Sequence, residues 1–245
     1  MPGSEMPGSE MPGFTADARS TDTEWMDTEA VEPADYAACL ADLAAVNSVT
    51  LARLPTLGFV AQAVRRAGNR PLNVLDVACG EGDMLRRLHR WGQRTGHKLV
   101  LTGLDLSAPG IDAARAATPA GTGIEYRVGD VFAAPLGPVD VVISSLFTHH
   151  LSGPDIVRFL RRMEDEAAVG WFVNDLHRHA VAYHGFRALS SLAGWHRFVR
   201  HDGPVSVARS FRRAEWLGLL RSAGLEGEAR LRWHVPFRWC VSRLK

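Results

Sequence analysis

The chain has 245 residues, 46% of them hydrophobic, which is enough for one sizeable core with room for an appendage. Its 28 lysines and arginines nearly cancel 27 aspartates and glutamates, and the net charge of +1 excludes a general electrostatic pull toward nucleic acid or an acidic membrane. The three cysteines, Cys39, Cys79 and Cys240, are too scattered for a zinc site or a disulfide framework, and no apolar run reaches the roughly 18 residues of a membrane helix. A cytoplasmic protein is expected, with no signal peptide, no integral membrane segment and no nucleic-acid partner.

Residues 1–15 form an imperfect five-residue repeat rich in proline and glycine, expected to be part of a disordered leader over residues 1–21. A helical cap is expected over 22–70. Tyr36, Leu40, Leu43, Val46 and Val49–Leu51 fall at helical steps, and a second helical run follows Pro55. From 71 to 245 strands and helices then alternate. Short apolar runs at 72–77, 99–104, 124–128, 139–144 and 170–173 predict strands, with helices over 84–94, 111–117 and 155–167 between them. Such alternation implies crossovers and a parallel sheet. After a lid-like insertion at about 176–209, a helix over 214–223 closes at Gly224, and two runs flanking Pro236 predict an antiparallel hairpin at the sheet edge. The expected fold class is α/β: a Rossmann-like, seven-stranded sheet with an N-terminal helical cap and an insertion after strand five.

The loop after the first strand reads Asp76-Val77-Ala78-Cys79-Gly80-Glu81-Gly82-Asp83. Gly80 and Gly82 permit a tight turn and close approach of a ligand before a helix N-terminus. A dinucleotide fingerprint would place its third small residue at position 85, which is Leu85. Asp76 would also repel a pyrophosphate, whereas it suits an ammonium and a sulfonium. The predicted cofactor is therefore S-adenosyl-L-methionine (SAM), with S-adenosyl-L-homocysteine (SAH) as product. Asp105 ends the second strand, 23 residues after Gly82, close to the offset of about 20 at which an acid meets a ribose. Asp130 ends the third strand, where it could accept from the adenine amine.

The segments VLDVACGEGD, LTGLDLS, YRVGDVF and DVVISSLFTHHL resemble the successive motifs of class I SAM-dependent methyltransferases over roughly residues 72–152. The resemblance implies that Ala78, Gly80 and Gly82 line the methionine part with Asp76 and Cys79. It also implies Asp105 and Leu106 at the ribose side, Asp130-Val131 at the adenine, and Ser145 reaching the cofactor from strand four. Asn174-Asp175-Leu176-His177-Arg178-His179, Ala182-Tyr183 and His201–Val207, with Trp25-Met26-Asp27, resemble a bacterial small-molecule subgroup. Its members accompany type III polyketide synthases and act on phenolic lipids or alkylpyrones.

Eight of the ten histidines follow residue 148, on the side where this fold builds its acceptor site. Methyl transfer from a sulfonium needs alignment, and a base if the nucleophile arrives protonated. His149 and His177 are the expected bases, with Asp175 orienting His177 or His179. His149 is expected to face the substrate and its neighbour to pack. His150, His179, Tyr183 and Phe186 are expected to contact the acceptor, and the apolar series Phe186, Leu189, Leu192, Trp195 and Phe198 suits a core or a substrate wall. No metal is expected, since strand four ends in Ser144-Ser145 rather than aspartate. A zinc set of His177, His179 and His184 is the alternative.

The expected function is O-methylation of a phenolic or enolic polyketide-type lipid, a hydrophobic aromatic small molecule, by a monomer or homodimer. The alternatives are a C-methyltransferase of a quinone-like precursor and a non-catalytic SAM-binding subunit.

Overall fold

The computed structural model describes residues 13–28, 50–68 and 70–245, with the helical positions Cys39, Asp42 and Val46. The expected helical positions Tyr36, Leu40, Leu43 and Val49, and most of the expected leader, lie outside the described residues. A short helix α1 (Trp25–Thr28) precedes α2 (Leu54–Ala67), which carries Pro55 in its first turn, where the missing N–H costs nothing. Then follow β1 (Leu72–Val77), α3 (Asp83–Thr95), β2 (Leu99–Asp105), α4 (Ala108–Ala117), β3 (Glu125–Val128) and β4 (Val139–Ser145). A 3₁₀ turn at Thr148–His150 leads into α5 (Gly153–Glu166) and β5 (Ala167–Leu176). The chain closes with α6 (Ala180–Leu192), α7 (Arg197–Arg209), α8 (Arg213–Ala223), β6 (Arg230–His234) and β7 (Arg238–Leu244).

The seven strands form one sheet in the order β3-β2-β1-β4-β5-β7-β6. The first five strands run parallel and β7 pairs antiparallel with both β5 and β6. The expected edge hairpin is thus present, but it inserts β7, the last strand, beside β5 and leaves β6 outermost. Strands β1 and β4 are buried almost throughout, as expected of parallel strands covered on both faces.

Because side chains alternate along a strand, each strand feeds two cores. Val77, Val142, Trp171, Val173 and Val241 pack against Phe159 of α5 and Trp216 of α8. Val74, Val141, Ile143, Phe172 and Cys240 pack against Phe59 of α2, Leu85 of α3 and Ile111 of α4. Phe159 is fully buried, and its truncation to alanine would cost about 3–5 kcal/mol. The alternation also sorts the polar residues. Asp76, Ser145, Asn174 and Arg238 share the α2 face, and Asp175 shares the α5 face.

The insertion after β5 is the helical hairpin α6–α7. Gly203 of α7 lies so close to Phe186 that an added Cβ would sit 2.0 Å from the ring. Phe186, Trp195 and Phe198 form one cluster with Trp25, Met26, Cys39 and Val46, whereas Leu189 and Leu192 are exposed. The apolar series is therefore mostly the core of the insertion. Within residues 13–21, part of the expected leader, Phe14, Ala16, Arg19 and Ser20 are partly buried and the rest are exposed. Phe14 lies against Tyr183. Arg19 donates to the carbonyls of Arg209 (2.6 Å), His149 (3.0 Å) and Leu151 (3.1 Å). One guanidinium reaches three carbonyls, of which that of His149 also accepts from Arg209 Nε at 3.3 Å, and this offsets the ordering entropy of the segment.

Candidate active site

The glycine loop opens on a cavity of about 280 Å³ at the carboxyl ends of β1 and β4. Ala78 and Gly80 both have positive φ (57° and 51°). Gly82, at φ 75°, caps α3, and an added Cβ there would lie 2.3 Å from the Tyr126 hydroxyl. Only glycine fits both the left-handed backbone and that contact. Gly103 holds the loop down from below, since a Cβ there would meet Cys79 Sγ at 2.6 Å. Cys79 is a packing residue, and burial together with the Asp76 and Asp105 charges pushes its thiol up, out of nucleophilic range.

Asp76 lines this cavity, almost wholly buried. Burial first, then the neighbouring Asp105 and Asp83 carboxylates, raise its pKa well above the ordinary value. A buried acid in that condition calls for a cation, and the ammonium and sulfonium of SAM provide two. Asp105 is fixed by two backbone amides, Gly80 N–H to Oδ2 and Ser107 N–H to Oδ1, both at 2.8 Å. Each oxygen keeps a lone pair for a hydroxyl. Beside it Leu106 is exposed, a bare apolar flank for a flat ring. Asp130 departs from the expectation in part: its Oδ1 accepts from Phe132 N–H at 2.8 Å, capping the following turn, and Val131 is buried in the core rather than open. Arg53, just before α2, was not anticipated. It is buried against Asp83 in the cavity wall, where its cation can meet a carboxylate. Ser145 also lines the cavity, 3.5 Å from the Thr56 hydroxyl.

The histidine pair is arranged opposite to the expectation. His149 is 2% exposed and His150 half-buried. Asp175, on the α5 face, accepts from His149 Nδ1 at 2.7 Å, from the His149 amide at 3.0 Å and from the Thr148 hydroxyl. Glu24, brought in by the N-terminal segment, places Oε1 3.5 Å from His149 Nε2 and 3.7 Å from His150 Nε2, and accepts from Ser206 Oγ at 2.8 Å. Burial disfavours the charge on His149, but the flanking Asp175 and Glu24 carboxylates outweigh it and raise its pKa to about 9. The same ion pairs overcome burial in the acids and hold Asp175 and Glu24 each at about 2. His149 is thus an imidazolium with both nitrogens engaged, and it has no lone pair with which to act as a base. The ligand-capable atoms of Glu24, His149 and His150 lie within 4.8 Å of one another, the grouping among the described residues that could enclose a metal ion.

Asp175 orients neither His177 nor His179. His177 lies beside Trp239, and its Nδ1 accepts from Trp233 Nε1 at 3.3 Å. Burial, with the His179, Arg212 and Arg178 charges, lowers its pKa to about 4, so it is neutral and weakly basic. His179 Nδ1 caps α6 by accepting from Val181 N–H at 3.1 Å, and its ring stacks on Phe237. His184 packs edge-on against Tyr183, and His177, His179 and His184 are not among the described residues whose ligand atoms gather within 4.8 Å of one another. Tyr183 is buried against Val207 and Ala208. None of His150, His177, His179, Tyr183 and Phe186 lines the cavity at the glycine loop. What sequence reading missed is Arg238, the first residue of β7, which does line it.

Residues 74–170 match the family described as methyltransferase domain. No curated protein matches the chain. Among solved structures, the plantazolicin methyltransferase BpumL, in complex with a triazolic desmethylPZN analog and SAH, is 14% identical with a TM-score of 0.66, covering 90% of this chain and 93% of its own. The related enzyme BamL, with the same analog and SAH, is 15% identical with a TM-score of 0.62, over 85% and 73%. Magnesium protoporphyrin IX methyltransferase (ChlM) of Synechocystis PCC 6803, with bound SAH, is 13% identical with a TM-score of 0.53, over 80% and 84%. At these identities the likeness shows the fold: the seven-stranded α/β fold of class I methyltransferases. Together with the domain match over residues 74–170, it supports a SAM-dependent methyltransferase activity. Among the described residues no helix is long and apolar enough to cross a membrane.

Proposed function

We propose that the protein methylates an oxygen of a hydrophobic small molecule, a phenolic or enolic polyketide-type lipid. The observation that carries this reading is the small cavity joining Asp76 at the donor side to Ser145 and Arg238 at the ends of β4 and β7, roofed by Ala52 and Arg53. A space of about 280 Å³ suits a small acceptor better than a macromolecular one. The likeness to enzymes whose names specify a plantazolicin and a porphyrin acceptor supports the same size class.

SAM supplies the methyl group on a sulfonium. In this reading Asp76 holds its cationic end, Arg53 faces its carboxylate, Asp105 accepts from the ribose, Leu106 flanks the adenine and the second carboxylate oxygen of Asp130 accepts from its amine. Ser145 faces the acceptor, and the rigid β4 and β5 ends hold it in line. His149, Asp175 and Glu24 are positioning residues that fix the turn after β4 and tie down the N-terminal segment.

The test is incubation with isotopically labelled SAM and a panel of alkylresorcinols, alkylpyrones and quinone precursors, read by mass spectrometry. An O-methyl product supports the proposal. A C-methyl product moves it to the quinone-type alternative, and SAH binding with no transfer to any acceptor would sink it.

A further inference from the structure

Two arginines of the sheet ends are almost completely buried, at 1% and 2% exposure: Arg178 and Arg238. Arg178 is fully used. It donates to Ala16 O, to Ser210 O and to Glu215, the last at 2.7 Å. Arg238 is not. Its Nε has no partner, its Nη1 reaches Asn174 Oδ1 at a weak 3.4 Å, and among the described residues no carboxylate lies within ion-pair distance. A buried cation without a counter-ion costs several kcal/mol, and a guanidinium cannot escape by losing its proton. Burial pulls its pKa down, and Asp175, already committed to His149, offsets this in part.

The strand register shows where this cation points. Arg238 pairs with Leu176 at the end of β5, and Asn174 pairs with Ser145 at the end of β4. All three polar residues share the α2 face, and Arg238 and Ser145 line the same cavity as Asp76. A second arginine of the lining, Arg53, lies on the glycine-loop side, paired with Asp83, and in the reading above it faces the donor carboxylate. No histidine lines that cavity: His149 is buried between Asp175 and Glu24, and His177 lies beside Trp239.

We infer that Arg238 is the acceptor's anion-recognition residue, and that the acceptor binds with its reacting oxygen already ionised, as an acidic enolate or a carboxylate on an alkylated ring. This rests on the small-molecule reading above and narrows it. The proton leaves to solvent on ionisation, before binding, so the site needs no general base. The planar guanidinium donates to the anionic oxygen and holds it away from the Asp76 side, leaving a lone pair for attack.

The experiment is calorimetric titration of the SAH-saturated protein with 4-hexylbenzoate and with a 6-hexyl-4-hydroxy-2-pyrone. Each is compared with its neutral match, 4-hexylbenzamide and the pyrone 4-methyl ether. At least one anion should bind tenfold or more tightly than its match, and which one does so identifies the acceptor's acidic group. Arg238→Met should abolish that preference and Arg238→Lys should retain part of it, with SAH affinity unchanged within twofold. Equal binding of anion and match by the wild-type protein overturns the inference whether or not the variants fold. So does a preference that survives Arg238→Met, and so does a tenfold loss of SAH affinity in that variant, which would assign the arginine to the donor. If the anion preference holds but no panel compound is methylated, the oxygen-transfer reading fails while the anion site stands.

Discussion

Replacing Asp175 by asparagine tests the buried ion pair that the structure places where a catalytic base was expected. The side chain is wholly buried and accepts from the His149 ring, the His149 amide, the Thr148 hydroxyl and its own neighbour Leu176 N–H. A rise of the His149 pKa from 6.5 to about 9 corresponds to about 3 kcal/mol of stability. Because the folded value lies above the unfolded one, that stabilisation is full below about pH 6.5 and is lost as pH rises through about 9. The two acids behave in the opposite sense: held at about 2, they stabilise above their unfolded values and lose this as pH falls toward 2. Asp175→Asn should therefore cost about 3–5 kcal/mol at pH 6, since it leaves a buried imidazole facing a neutral amide, and a smaller amount at pH 9.5. Urea denaturation of both proteins at the two pH values measures the difference, and the His149 ring resonances report its titration directly. A wild-type His149 that titrates below 6.5, or a variant penalty that is the same at both pH values, would refute the ion-pair account.

Asp105→Ala removes the acid fixed between the Gly80 and Ser107 amides and should weaken SAH binding at least about tenfold by calorimetry; unchanged affinity would remove its ribose assignment. Gly82→Ala combines a positive φ with a Cβ 2.3 Å from the Tyr126 hydroxyl, so it should cost at least about 2 kcal/mol. Calorimetric melting should then fall by about 4–8 °C, and an unshifted transition would contradict the contact. Arg19→Ala frees three carbonyl contacts of the N-terminal segment. Chymotryptic cleavage at Trp25 should accelerate about tenfold; equal cleavage rates would show that Arg19 does not hold the segment.

The glycine loop and the acids after successive strands are legible because their signals are local. A glycine loop between an apolar strand and a helix, and an acid at the end of each successive strand, are short patterns, and the backbone fixes where such residues emerge. Asp130 shows the limit of that logic, since the same position also caps a turn and its Oδ1 does so here. The sheet edge was read correctly as a hairpin, but nothing local reveals that β7 rather than β6 would lie beside β5. That choice carries Arg238 into the cavity lined by Asp76 and Ser145.

The acceptor half depends on partners far apart in sequence. Glu24 meets His149, Asn174 reaches Ala52 O at 2.7 Å, and Arg238 lines a cavity with Asp76. A histidine pair after strand four suggested a base, and its residue types support that chemistry. Its protonation depends instead on two carboxylates that tertiary packing delivers, one from β5 and one from the N-terminal segment. Periodicity and glycine loops arise from backbone geometry within a few residues, so they can be read along the chain. Charge state, burial and counter-ions are set by whatever packs around a group, and here the fold assembled them from both ends of the chain.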